Sequence, residues 1–97
     1  MHDVIVLYNH PESPEEFDAH YRGVHAPLVD ALPDLREFAW GKPSEEDAAF
    51  YVVARLTYDS AQRAADSLAS EAGQRSVEDL ANFAGAGVTV LNVSRDA

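Results

Sequence analysis

The chain has 97 residues, of which 17 are acidic, 7 are basic and none is cysteine, and its formal net charge is −10. No Lys/Arg cluster is present to neutralise phosphates, which argues against nucleic acid as a partner, and an anionic membrane surface would repel the chain for the same reason. The lack of cysteine excludes disulfides, thiolate nucleophiles and cysteine metal sites, and it fits a cytoplasmic location.

The length suits a single domain over 1–97, and a domain of this size buries only roughly two-thirds of the surface its unfolded chain exposes. Its core is therefore thin, and a partner covering an apolar face would help. No apolar stretch approaches the roughly 20 residues that span a bilayer. "MHDVIVLYN" has no basic n-region and is not expected to be a signal peptide.

The first strand is expected at Asp3–Asn9, where Val4, Ile5, Val6 and Leu7 are apolar on both alternating faces. "HPESP" ends it. Ser13 then offers an N-cap, Pro14 a first helical position, and Glu16 the third member of a capping box. Phe17, Tyr21, Val24, Leu28 and Leu32 follow at helical spacing, so a helix is expected from Pro14 to Ala31, before Pro33. "DLREFAWGKP" predicts a second strand with Phe38 and Trp40 on one face. A third covers Ala49–Tyr58, with Val52, Ala54 and Leu56 on one face and Tyr51, Val53, Arg55 and Thr57 on the other. Ser60 caps a second helix, which Gly73 is expected to interrupt, and "QRSVEDLANFA" continues with Val77, Leu80, Ala81 and Ala84 as its apolar positions. The last strand, Gly87–Val93, is rich in β-branched residues.

The order β-α-β-β-α-β is that of the ferredoxin-like α+β fold, a four-stranded antiparallel sheet with both helices on one face. Strands that are apolar on both faces leave the other side of such a sheet uncovered, which is an aggregation hazard. A homodimer joined through that open sheet face removes it.

"VIVLYNHPESPEEFDAHYRGVHAPLVDALPDL" resembles the opening of the EthD family, within the dimeric α/β-barrel superfamily. Phe17, His20, Tyr21, His25, Pro27 and Leu28 fill that family's Phe-x-x-His-Tyr/Trp-x-x-x-His-x-Pro-Leu pattern. "SLASEAGQRSVEDLANFAGAGVTVLNV" is similar to its Ser-x-Glu-Gly-Gln…Asn-Phe run, with Ala72 as an inserted residue. The resemblance implies the fold and the dimer more than a reaction. The family takes its name from a protein encoded beside enzymes of ethyl tert-butyl ether degradation. Its wider relatives include isomerases, polyketide cyclases, cofactor-independent monooxygenases and haem-degrading enzymes, so fold alone names no chemistry.

The residues of the first helix supply the chemical candidates. On an ideal helix His25 lies beside Tyr21, one turn on, and His20 sits on the other shoulder about 140° from His25. Pro27 removes the bond to the Gly23 carbonyl and is expected to kink the helix and open a pocket. His25 is the expected general acid/base, with Tyr21 as its partner and His20 as a third candidate. Trp40, Phe38, Phe83 and Tyr51 are expected to line an apolar pocket, with Asn9 and Arg55 as polar contacts. The expected ligand is a small hydrophobic or aromatic metabolite, handled by an isomerase, cyclase or dehydratase without a cofactor, or bound by a non-catalytic accessory dimer. Histidines at i, i+5 do not share a face of an α-helix, so no metal site is expected.

Overall fold

In the computed structural model residues 1–95 are described. Strand β1 (His2–Tyr8) leads through the Pro11–Ser13 turn into helix α1 (Pro14–His20). The Ser13 hydroxyl accepts the Glu16 N–H, as the capping box requires. A π-helical segment (Tyr21–His25) continues α1, and α2 (Ala26–Asp30) completes the rod before Pro33. Strands β2 (Glu37–Gly41) and β3 (Val52–Tyr58) follow. Helices α3 (Ala61–Ala69) and α4 (Glu71–Phe83) then lead to β4 (Val88–Ser94).

The sheet is antiparallel throughout, in the order β2-β3-β1-β4. This is the ferredoxin-like arrangement, and its register fixes two faces. Val4 pairs with Leu56 and Asn92, Val6 with Ala54 and Val90, and Tyr8 with Val52 and Val88. That face carries the helices, and Phe38 and Trp40 of β2 join it opposite Leu56 and Ala54. Ile5, Leu7, Val53, Leu91 and Val93 point to the other face, which no element among the described residues covers. Leu91 and Val93 are 46% and 39% exposed there.

The long helix departs from the expected α-helix at its centre. The Ala26 N–H bonds the Tyr21 carbonyl, five residues back, so the turn before Pro27 is widened. Pro27 then falls in the first turn of α2, where its missing N–H costs little. The widened turn shifts the buried stripe to Phe17, Tyr21, His25 and Val29, replacing the expected Val24 and Leu28. Val24 is exposed and His25 takes its place in the core.

Gly73 does not interrupt the second helical region, because α4 begins at Glu71, capped by the Ser70 hydroxyl. The glycine is a point of close approach instead. A Cβ there would run into the Leu68 backbone at the end of α3. The buried stripe of α4 is Gly73, Ser76 and Asp79, whereas Val77, expected inside, is 55% exposed.

Candidate active site

Four side chains from three elements meet between the helices and the sheet. Tyr8 ends β1, Tyr21 and His25 open and close the π-helical segment, and Asp79 lies on the buried stripe of α4. All four are at least 95% buried. The His25 Nδ1 lies 3.0 Å from one Asp79 oxygen and the His20 Nε2 lies 2.8 Å from the other. The Asn82 amide donates to the second oxygen at 3.0 Å. On its far side the His25 Nε2 meets the Tyr8 hydroxyl at 3.4 Å.

The widened turn makes this possible. Residues five apart close on each other in a π turn, so His20 and His25 reach one carboxylate, where an ideal helix would hold them about 140° apart. Burial alone pushes the Asp79 carboxyl up, but the donors Asn82, His20 and His25 outweigh it and hold it below the usual carboxylate range. Burial pushes the His25 imidazole down, against the pull of Asp79 in the opposite direction. Asp79 is thus ionised and His25 neutral near pH 7. A carboxylate only accepts, so His25 donates from Nδ1, and its Nε2 is a lone pair that accepts the Tyr8 O–H. The result is a directed chain from Asp79 through His25 to Tyr8.

Tyr21 adds a second hydroxyl beside this chain. Its side chain is stacked on Phe17 and packed on Trp40 at 4.7 Å, but its buried hydroxyl makes no hydrogen bond of normal geometry among the described residues. Burial, with Tyr8 beside it, pushes the Tyr21 hydroxyl far up, so it stays protonated. Burial likewise raises Tyr8.

Tyr8, Tyr21 and His25 open onto one cavity of about 170 Å³ between sheet and helices, walled by apolar side chains that include Val4, Phe38 and Leu80. Val77 of α4 and Val90 of the edge strand β4 line it and are both half-exposed, so its mouth lies between those elements. His20 does not face this cavity. Its ring stacks on Phe83 and borders a separate surface cleft between α1 and the end of α4.

Of the other sequence candidates, Phe38 alone lines the cavity. Trp40 backs Tyr21, with the Arg22 guanidinium over its ring. Phe83 packs between His20, His25 and Tyr21. Tyr51 bonds Asp18 and Lys42 at the surface. Asn9 ties the end of β1 to the Ala86 carbonyl and Gly87, a glycine in the left-handed region. Arg55 lies on the open face of the sheet, paired with Glu37 at 2.7 Å and bonded to Thr57. It cannot anchor a carboxylate in the cavity.

Sequence reasoning missed Tyr8 and Asp79. Alternation places Tyr8 on the same face as Val4 and Val6, a usable signal. Asp79 lies three residues from Ser76 and six from Gly73, a stripe of small and polar residues that hydrophobicity passes over in favour of Val77.

Comparison with known proteins agrees with this fold. The EthD domain matches residues 9–87. An uncharacterized 11.0 kDa protein from the thcB-thcC intergenic region of Rhodococcus erythropolis is 42% identical over 94 residues, 94% of this chain and 91% of that protein. The crystal structure of an EthD family protein from Bacillus halodurans superposes with a TM-score of 0.92 at 28% identity, covering 99% of each chain. A dimeric ferredoxin-like protein of unknown function from Thermobifida fusca shares the fold alone, with a TM-score of 0.76 at 11% identity over 97% of this chain and 90% of that one.

Proposed function

Since the chain belongs to the EthD family, we propose that it is a homodimer joined through its open sheet face, and that each helix–sheet cavity performs acid–base catalysis on a small hydrophobic metabolite. The observation that carries this reading is the chain Asp79–His25–Tyr8, which ends at the wall of an apolar cavity. His25 is the general base. Asp79 holds its tautomer and stabilises the imidazolium that forms, and Tyr8 sits where it can pass a proton between His25 Nε2 and a bound molecule. Neutral imidazole beside an apolar cavity suits proton abstraction beside a carbonyl or from a hydroxyl, which is the chemistry of isomerases, cyclases and dehydratases. His20 and Asn82 act at one remove, as positioning residues that fix Asp79. Support for the dimer is the uncovered row of Ile5, Leu7, Val53, Leu91 and Val93, together with the dimeric protein of the same fold.

Native mass spectrometry of protein purified gently from its own host tests the reading. The expected species is a dimer carrying one small molecule per chain. His25→Ala should abolish turnover of that molecule and leave the dimer mass unchanged. An unaltered rate removes the catalytic assignment, and a bound molecule that the wild type never converts makes the protein a carrier.

A further inference from the structure

The cavity describes its own occupant in three respects. The first is size. A cavity of about 170 Å³ is close to the roughly 150 Å³ engineered cavity that takes up benzene, so it admits about one ring. The second is charge. No lysine or arginine lines the cavity, and Arg55 lies on the opposite face of the sheet. An anion would enter without a counter-charge, close to the ionised Asp79. A cation would find that carboxylate already taken, with Oδ2 accepting from His25 and Oδ1 from His20 and Asn82. Either ion would lose its hydration without compensation.

The third is polarity. The Tyr21 hydroxyl is fully buried, lies on a residue that lines the cavity, and makes no hydrogen bond of normal geometry among the described residues, with only the Tyr8 hydroxyl beside it. A buried donor left unmade is costly, and a ligand that supplies its acceptor recovers that cost. The Tyr8 oxygen, whose proton is given to His25, keeps free lone pairs nearby and can take the proton of a hydroxyl ligand.

The geometry points to an uncharged molecule of about one aromatic ring bearing a single acceptor oxygen, a carbonyl or a hydroxyl, seated with that oxygen on the Tyr21 O–H. It enters between Val77 and Val90. This rests on reading the cavity as a ligand site and adds the class of ligand and the residue that selects it. Tyr21, assigned by its sequence position as an acid/base partner of His25, is here the specificity group, and the acid–base chain runs through Tyr8.

Three probes of similar shape test it by NMR titration of the full chain: acetophenone, ethylbenzene and benzoate. Acetophenone should bind about tenfold more tightly than ethylbenzene, and benzoate should not bind measurably near pH 7. In Tyr21→Phe the preference for acetophenone should fall to about one, while ethylbenzene still binds. Retained binding of ethylbenzene shows that the variant keeps its cavity. A preference unchanged in Tyr21→Phe, benzoate binding as well as the ketone, or no binding by any probe overturns the inference. The outcome is separate from catalysis. A protein that shows this selectivity and turns nothing over is a selective binder, whereas turnover of a charged substrate would sink the ligand class and spare the acid–base chain.

Discussion

His20 and His25, five residues apart, bind opposite oxygens of the single carboxylate of Asp79, at 2.8 and 3.0 Å. The widened turn between them brings the two rings to one side of the helix, and α4 supplies the acid. Around this contact the protein holds a buried charge, a neutral imidazole and two protonated tyrosines, and each responds to pH in a defined direction.

Stability should fall on both sides of a neutral plateau. The folded His25 lies below its ordinary value near 6.5, so the unfolded chain binds more protons between that value and the lowered one. Its contribution is complete above about pH 6.5 and is lost as pH falls. Asp79, also lowered, adds a second loss below its ordinary 3.8. Tyr8 and Tyr21, raised above 10, contribute fully below that pH and lose their contribution as it rises beyond. Thermal unfolding against pH should show these limbs, and His25→Gln should flatten the one that begins near pH 6.5.

Tyr21→Phe should stabilise the free protein. Removing a buried hydroxyl that makes no hydrogen bond of normal geometry among the described residues relieves a desolvation penalty, worth about 1 kcal/mol or somewhat more. In a domain of this size that raises Tm by roughly 4–8 °C. A lower Tm would mean that the hydroxyl is satisfied in the folded protein.

Gly73→Ala should do the opposite of what helix propensity predicts. Alanine in a helix interior usually gains about 1 kcal/mol over glycine. Here its Cβ would collide with the Leu68 backbone, and overpacking of that kind costs about 1–3 kcal/mol. Urea unfolding should show a lower midpoint, with α3 and α4 forced apart.

Leu91→Asp places a charge on the open sheet face, on the edge strand β4 beside Ile5. The dimer should dissociate to a chain of half the mass in sedimentation, with the fold retained because Leu91 touches no helix-side core. A dimer that survives this change does not use that face.

Most of the architecture is legible in local chemistry. The capping residues Ser13 and Ser60, the unbroken apolar run of β1 and the alternation in β3 are enough to order six elements and to show that both sheet faces are apolar. The site is legible only in part. His25 and Tyr21 are recognisable as neighbours, but the partner that makes His25 useful comes from a helix 54 residues away in sequence. Two features hide it. A regular helical period of 3.6 residues fails across the π turn, which turns Val24 out and His25 in. On α4 the buried stripe is built of Gly73, Ser76 and Asp79, because a close helix crossing and a hydrogen-bond network occupy that face where apolar packing is expected. Arg55 shows the reverse case: its alternation with Ala54 and Leu56 already places it on the face away from the helices.

Acid–base chemistry in this cavity depends most directly on the protonation of one ring. Nitrogen-15 NMR of the histidine side chains at pH 7 reads it without any substrate. The prediction is a neutral His25 with its proton on Nδ1, bound to Asp79, and a bare Nε2 facing Tyr8. A proton on Nε2, or a fully charged imidazolium at that pH, would contradict the chain from Asp79 to Tyr8 and leave the cavity without its base.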